Sequence, residues 1–574
     1  MRRKRGLAAA AAAALTATAL AVTAGPAEAG PGPGHDHGHG RQVDLQLLAI
    51  NDFHGSLEAD EGLTHPDEHG AEVPAGGAEY LAAHLAQARE GERYSTTVAA
   101  GDLIGASPFL SAAFGDEPAV ESLNAMGVEV SSVGNHEFDK GVDDLRRHID
   151  GDGDYAGVDF PYLGANVVDE DTGEPVLEPY WIKKFRGGVK VGFIGMTLEG
   201  TGDIVAGSGI EGIEFLDEVE TADRYAEELR REGVNSIVVL LHEGGEPVAE
   251  DTGHRCESLD GSGIGMSGPI VDIAEQMSAE VDLIVTGHTH QEYVCSVDDP
   301  DGRPRMVTSA SSHGRVFTEI EATYDKRTKD IVRSSVTGAN TVVDREVAPD
   351  PTQTELIAGY QDEVEEVAGR VVGHVGEDIT RGQSRAEEST LGSLLADVQL
   401  DRTADPETGG AEIAFMNPGG IRADLLYGED GVVTYAELFS VQPFNNYLVT
   451  MDLTGEQILT LLRQQLPTAE RQTTLFLQVS EGFTYTWDTT REGAEQIVAD
   501  SLTLHGEPIE ADRTYRVTVN SFLAEGGDSF HVLTEGRNLL TGEVDLVALE
   551  AWFAEHSAAE TPVEAPELGR VEIL

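Results

Sequence analysis

Ser132-Val133-Gly134-Asn135-His136-Glu137-Phe138-Asp139 is the stretch on which the reading of this chain turns. It follows the apolar positions Val128 and Val130, so it reads as the end of a short strand breaking into a tight polar loop. Asn135 offers a neutral oxygen to a metal and His136 an imidazole. Asp139, three residues on, is placed to hold that imidazole in one orientation. Gly-Asn is also ordinary turn chemistry. The octet gains its meaning from four other strand ends in the same half of the chain.

Val43 to Ile50 runs into Asn51-Asp52-Phe53-His54-Gly55, and Thr96 to Ala100 into Gly101-Asp102-Leu103. Ser236 to Leu241 runs into His242-Glu243-Gly244-Gly245, and Val281 to Thr286 into Gly287-His288-Thr289-His290. Between them lie helical patterns at Gly77 to Arg89, Glu220 to Glu232 and Pro269 to Ser278. Strands alternating with helices predict an α/β layered fold with a largely parallel or mixed sheet. In such folds ligands sit beyond the carboxyl ends of the strands. All five polar clusters fall at those ends, so they can converge on one site.

A chain of 574 residues is too long for one core, and two domains are the default. Acidic residues number 103 against 38 basic, a net charge of −65, and seven of the basic residues are Lys. That balance argues against nucleic acid as a partner and against docking on anionic lipid. An acidic, Lys-poor surface suits a secreted protein and suggests tolerance of high salt.

The N-terminus reads as a Sec-type signal peptide over residues 1–29. Arg2-Arg3-Lys4-Arg5 is the positive region, Leu7 to Thr23 the apolar region and Ala27-Glu28-Ala29 the small-x-small cleavage site. An uncleaved anchor is the alternative, disfavoured because the apolar run is too short for a comfortable span. No second long apolar run exists, so a soluble protein outside the cytoplasm is expected, with no membrane association after cleavage. Residues 30–41, with Pro31, Pro33, His35, His37 and His39, read as a disordered spacer, with metal gathering as a lesser possibility.

Asp52, His54, Asp102, Asn135, His242, His288 and His290 supply two carboxylates, one amide oxygen and four imidazoles. This mixed oxygen and nitrogen set suits Zn, Mn, Fe or Co rather than Ca. Seven donors are too many for one tetrahedral ion and fit two. A carboxylate such as Asp102 can bridge ions about 3.5–4 Å apart, an arrangement that activates water for phosphoryl displacement. Any one of these residues could be a cap or a satisfied core histidine; the set together has no such simple account.

Asp52-x-His54, Gly101-Asp102, Gly134-Asn135-His136-Glu137, His242 and Gly287-His288-Thr289-His290 resemble the motifs of calcineurin-like metallophosphoesterases. After the signal, the whole chain resembles the secreted bacterial 5′-nucleotidase / UDP-sugar hydrolase / 2′,3′-cyclic phosphodiesterase family. The resemblance implies a dinuclear centre. One metal would take Asp52, His54, Asp102 and His290; the other would share Asp102 and take Asn135, His242 and His288. His136 would stabilise the transition state or assist the leaving group, oriented by Asp139. Some family members carry Gln where this chain has His290.

Cys256 and Cys295 are the only cysteines and flank the segment carrying His288 and His290. In an exported protein an even pair is most simply a disulfide. Closing a loop of about 40 residues would stabilise by ~4 kcal/mol in the chain-entropy account. Thiolate ligation of a metal is the poorer alternative, since neither Cys has a CxxC neighbour. Inside that loop Gly263-Ile264-Gly265-Met266-Ser267-Gly268 matches GxGxxG. It follows the polar Glu257-Ser258-Leu259-Asp260 rather than a strand, so it reads as a flexible loop and not a dinucleotide fingerprint.

The organisation predicted is a phosphoesterase domain over residues 42–345, a connecting helix within 346–370 and a C-terminal domain over 371–574. In the connector, Gln353 to Ala368 places Leu356, Ile357, Tyr360, Val364 and Val367 on one face. The C-terminal domain reads as mixed α/β, with strands at Glu412 to Met416, Leu448 to Leu453 and Thr514 to Asn520, and carries no comparable set of metal donors. Its glycine turns and phenylalanines, taken alone, are turn and core residues. The family resemblance assigns them otherwise. Phe444 and Phe522 would stack the nucleobase, and Asp528 would bind the ribose hydroxyls. Asn417, with Gly420 in the same Asn-Pro-Gly-Gly turn, would contact base or phosphate. Arg385 and Arg422 would hold phosphate by forked hydrogen bonds. Thr390 and Ser393 stand where the family has an Asn-containing version.

The expectation is a secreted, monomeric two-domain enzyme that cleaves nucleoside 5′-monophosphates to nucleoside and orthophosphate by metal-activated water. The alternatives are a broader hydrolase of UDP-sugars, nucleoside di- or triphosphates or 2′,3′-cyclic nucleotides, and an inactive nucleotide-binding module. The intact donor set and the His136–Asp139 pair argue against the last.

Overall fold

The computed structural model describes residues 41–60, 63–67, 70–153, 155–205, 209–249, 251–257, 263–428, 430–467, 471 and 473–574. The expected signal peptide and all of the expected spacer except Arg41 lie outside the described residues. Gln42–Leu574 forms one compact unit.

Two seven-stranded sheets build the N-terminal part. In the first, Gln42–Ile50, Ser95–Ala100, Val130–Ser132 and Tyr162–Leu163 run parallel. In the second, Lys190–Thr197, Ile237–His242, Leu283–Thr286 and Pro304–Ala310 run parallel. Both sheets add antiparallel strands at their edges, so each is mixed.

The alternation of the strands explains the layering. Leu45, Leu47 and Ala49 point to one face of the first sheet, where they pack with Phe193, Val238, Leu240 and Val285 of the second. Leu48 and Ile50 point the other way, onto Leu81, Leu85, Val120 and Leu123 of helices Ala78–Ala88 and Glu117–Met126. On the outer face of the second sheet, Ile194, Val239 and Ile284 meet Tyr225, Leu229 and Ile273 of Glu218–Arg231 and Pro269–Gln276. The result is a helix–sheet–sheet–helix sandwich whose parallel strands are buried on both faces, as their continuous apolar runs require.

The connecting helix spans Pro351–Ala368, opened by Asp350, whose side chain accepts from the backbone N–H groups of Thr352 and Gln353. Gln353 is fully buried and exchanges hydrogen bonds with Ser122, Nε2 donating to the carbonyl at 2.9 Å and Oε1 accepting the hydroxyl at 2.7 Å. Leu356, Ile357, Tyr360 and Val364 pack on the N-terminal core, and Val364 and Ala368 on that of the C-terminal part. Val367 departs from the predicted face: it stays 50% exposed, because the last turn of the helix lies against the C-terminal core through Val364 and Ala368.

The C-terminal part is built on a five-stranded sheet ordered Gln478–Val479, Ile413–Met416, Thr514–Asn520, Tyr447–Thr454, Arg537–Val544. Cys256 and Cys295 face each other across antiparallel strands and form the disulfide. The GxGxxG segment corrects the loop expectation. Gly265–Ser267 is a strand paired with Glu246–Val248, held close because Gly245 and Gly268 nearly touch: a Cβ on Gly268 would lie 2.9 Å from the Gly245 Cα. Among the described residues no helix is long and apolar enough to cross a membrane.

Candidate metal centre and substrate cleft

The five strand ends converge as their positions predict. Strand Ile237–His242 extends one residue further than the sequence pattern suggests, so His242 is still strand. The octet breaks earlier: its strand is Val130–Ser132, and His136–Phe138 form one 3-10 turn.

Three glycines each precede a donor, and close packing explains all three. A Cβ on Gly134 would fall 2.2 Å from an Asp102 oxygen, and one on Gly287 would fall 2.9 Å from Asp52 and His242. Gly101 adds a left-handed φ of 77° and has the Gly134 backbone 2.6 Å from where its Cβ would be. Asp52, His54, Asp102, His288 and His290 are themselves left-handed at φ 49–71°. Backbone strain of this kind persists where surrounding structure over-determines it.

Glu137 locks these turns to one another. Its buried carboxylate accepts the backbone N–H groups of Gly134 at 2.5 Å, Asp102 at 2.9 Å and Leu103 at 2.8 Å. Burial, reinforced by the Asp102 charge, raises its pKa to about 7. The sequence quotes Glu137 in the octet without giving it this role.

The donors form two groups. Asp52, His54 and His290 bring one ligand atom each within 4.8 Å of one another, and so do Asp102, His242 and His288. Asn135 joins the second group, its Oδ1 lying 3.0 Å from His288 Nδ1. Asp102 reaches both: Oδ2 is 2.9 Å from His242 Nε2 and 3.8 Å from His54 Nε2. The imidazoles are oriented from behind. His54 Nδ1–H donates to the Gly105 carbonyl at 2.9 Å and His242 Nδ1–H to that of Ala100 at 2.7 Å. Each therefore turns Nε2 inward.

Those inward nitrogens fit cations. His54 Nε2 and His290 Nε2 face each other at 3.2 Å. His242 Nε2 is buried and, although near Asp102, is out of line for a hydrogen bond. Burial holds His54 and His290 well below the usual imidazole range and His288 at about 3. Their lone pairs are free at neutral pH, as metal ligation requires. His242 differs: burial lowers it, but the Asp102 and Asp52 carboxylates lift it to about 10. A divalent cation on Nε2 would take that proton's place.

Beside the second group, His136 Nδ1–H donates to Asp139 at 2.8 Å. Burial opposes its charge, but Asp139 and Asp102 outweigh burial and raise its pKa. A cleft of about 720 Å³ opens here between the two parts of the molecule. It is lined by Asp102, Asn135, His136, Asp139, His288 and His290 from one side. The other side supplies Arg385, Asn417, Gly420, Arg422, Phe444, Phe522 and Asp528. Asp52, His54 and His242 lie buried beneath it. Every residue picked out from sequence as ligand, acid or substrate contact thus belongs to one site. Cys256 and Cys295 form a bridge outside the cleft lining.

On the substrate side, Asn417 Nδ2 donates to Asp528 at 2.8 Å, and Asn520 Nδ2 donates to Asn417 Oδ1 at 2.9 Å. The Phe444 ring stacks on His136 at 5.8 Å and 21°, with the Arg422 guanidinium 5.9 Å above it. Burial, then Arg385 and Arg381, lower Arg422 to about 10. Arg381 escaped the sequence reading, although its Nη1 donates to the Arg422 carbonyl at 2.6 Å. The Arg381-x-x-x-Arg385 spacing was the available signal. Asn520, the last residue of strand Thr514–Asn520, carries no sequence signal of this contact.

Two family profiles match separate stretches of the chain. The profile of calcineurin-like phosphoesterases matches residues 45–292, and that of the 5′-nucleotidase C-terminal domain matches residues 368–535. The cell wall protein Lmo0130 of Listeria monocytogenes is 33% identical over 564 residues, covering 92% of this chain and 69% of that one. The chain belongs to the 5′-nucleotidase family. Endonuclease YhcR of Bacillus subtilis is 32% identical over 542 residues, 92% of this chain. The chain spans only 41% of the length of that relative. Among solved structures, a 5′-nucleotidase precursor from Thermus thermophilus is 27% identical with a TM-score of 0.76, covering 93% of this chain and 99% of that one. The family expected from the motifs is therefore the family found, and its two-domain α/β architecture is the one described above.

Proposed function

We propose that this protein is an exported phosphohydrolase that uses two divalent metal ions to cleave nucleoside 5′-monophosphates into nucleoside and orthophosphate. The observation that carries the reading is the shared cleft: two donor groups, a His–Asp pair, two arginines and two phenylalanines face one volume. The first ion would be held by Asp52, His54, Asp102 and His290, and the second by Asp102, Asn135, His242 and His288. Ions held there would polarise the phosphoryl oxygens and activate a water.

The chain's own groups do the rest. Arg385 and Arg422 bind the non-bridging oxygens of the phosphoryl group. They also explain how a chain of net charge −65 accepts a dianion, because local charge decides. Asp139 fixes Nδ1 of His136, so its Nε2 carries a proton toward the cleft. As water oxygen bonds to phosphorus and the ester P–O bond breaks, that proton stabilises the departing 5′-oxygen, which leaves as a hydroxyl. Phe444 and Phe522 take the base between them, and Asp528, steadied by Asn417, takes the ribose hydroxyls. Because the Phe444 and His136 rings lie nearly parallel with centroids 5.8 Å apart, the nucleoside grip adjoins the His–Asp pair.

Phosphate release by the purified mature protein tests this, using AMP, UDP-glucose and a 2′,3′-cyclic nucleotide with EDTA and then with Mn, Co, Zn or Mg restored. Metal-dependent release from AMP is expected. Release from the other esters but not from AMP would keep the site and change the substrate. Silence on all three with metals bound would overturn the enzyme reading.

A further inference from the structure

Five strand ends furnish the donors discussed so far, but a sixth points the same way. Strand Pro304–Ala310 runs parallel to Leu283–Thr286. It ends in Ser311-Ser312-His313-Gly314. Ser311 and His313 are left-handed at φ 58° and 56°, like five of the metal donors. The turn is tied to the first donor loop at three points. The His313 N–H donates to the Asp52 carbonyl at 2.7 Å. Asn51 Oδ1 accepts the Ala310 N–H at 2.8 Å, and its Nδ2 donates to the Ser311 carbonyl at 2.7 Å.

These ties place the His313 ring 5.5 Å from that of His54 and 5.8 Å from that of His290. It is not a third imidazole of the first group, since its nitrogens do not join the cluster that Asp52, His54 and His290 form. The ring is only partly buried, and neither nitrogen has a hydrogen-bond partner among the described residues. In the same turn the Arg315 guanidinium donates to Ser312 Oγ at 2.8 Å, and the charges of Arg315, Arg422 and Arg381 reach the ring. A ring serving only as packing would have no need to be held beside the donors with both nitrogens uncommitted.

The geometry points to His313 as a further substrate-contact residue, whose ring N–H donates to a phosphoryl oxygen on the side of the first donor group. The inference rests on the phosphohydrolase reading. It adds a donor from the N-terminal part to a phosphate grip otherwise supplied by arginines of the C-terminal part.

The test uses the full mature protein loaded with Mn or Co. Orthophosphate binding is titrated calorimetrically, AMP hydrolysis is followed at steady state, and bound metal is counted by elemental analysis. His313→Phe keeps a ring against His54 and His290 but removes both nitrogens. His313→Gly removes the ring and relaxes the left-handed backbone, covering the case in which Phe is strained there. Both are expected to weaken orthophosphate binding and raise the KM for AMP about 10- to 100-fold, the range of a hydrogen bond to a charged group. Metal content should be unchanged and kcat less affected than KM, with His313→Asn recovering part of the loss. Wild-type orthophosphate affinity in both variants would overturn the inference, and so would loss of one metal equivalent, which would make His313 a ligand. If the wild-type protein binds orthophosphate but hydrolyses no nucleotide, the phosphohydrolase reading fails, and the orthophosphate titrations still decide the role of His313.

Discussion

Strand Leu283–Thr286 joins two charged clusters that use carboxylates in opposite ways. At its C-terminal end, Asp52 and Asp102 face His54, His242, His288 and His290. At its N-terminal end, Asp282 approaches Arg333 at 3.4 Å and accepts the Ile237 N–H at 3.0 Å. There Arg333 also meets the buried Asp299 at 2.6 Å. Arg305, fully buried, donates to the carbonyls of Ala274, Met277 and Val281. Guanidinium is charged at every relevant pH, so Arg333 and Arg303 neutralise Asp299 from within the lower cluster. Three of the four upper imidazoles are held neutral, so the upper carboxylates remain short of positive charge. A self-compensated cluster stabilises the fold, whereas an uncompensated one demands a cation.

Removing the carboxylate shared by both donor groups attacks that distinction where it is strongest. Asp102→Asn should lower phosphate release about 10³-fold or more, corresponding to several kcal/mol of lost charge stabilisation. Bound metal should fall below two equivalents while the far-ultraviolet circular dichroism stays that of the wild type. Undiminished turnover and full metal content would mean that the upper carboxylates are structural after all.

Much of the upper cluster is legible because each donor sits at the end of its strand or within a few residues beyond it, and strand ends are local features. The apolar runs before Asp52, Asp102 and His288 announce both the element and its terminus, and the glycine before Asp102, Asn135 and His288 announces a crowded turn. His313 follows the same rule and was overlooked because Ser311 and Ser312 dilute the signal. Arg381 is only partly legible for another reason: its spacing from Arg385 is local, but its contact is with Arg422, 41 residues away. Val367 fits the helical periodicity, yet periodicity does not say where one core ends and the next begins. The lower cluster could not be read at all. Asp282, the turn holding Asp299 and Arg303, and Arg333 fall in three separate stretches of chain, and Arg333 comes from between two strands of the first sheet, so only the packing of the two sheets gathers them.

Breaking the lower cluster should produce the inverse phenotype. Arg333→Ala leaves Asp299 buried with part of its compensation gone, a change of about 3–5 kcal/mol for a buried pair. Urea denaturation should show that loss, whereas kcat and metal content per folded molecule should stay at the wild-type level. A variant that kept its stability but lost activity would erase the contrast between the two ends of the strand.

The smallest effect on activity is expected from Asp282→Asn, whose effect on stability is read through pH. Burial and the neighbouring Asp330 charge raise the Asp282 carboxyl to about 8, against the pull of Arg333 and the Ile237 N–H. In the unfolded chain an aspartate titrates near ~3.9. Between those values the folded state holds more protons than the unfolded state. The stability this group contributes is therefore complete below about pH 4 and is lost as pH rises toward 8. Asn resembles the protonated carboxyl, so the substitution should flatten the fall in stability between pH 5 and pH 8 by roughly one proton's worth of slope. Activity on AMP should be unaffected at each pH. A parallel shift in the pH–activity profile would show that the lower cluster is coupled to the upper along the strand they share, and the division of labour between them would fail.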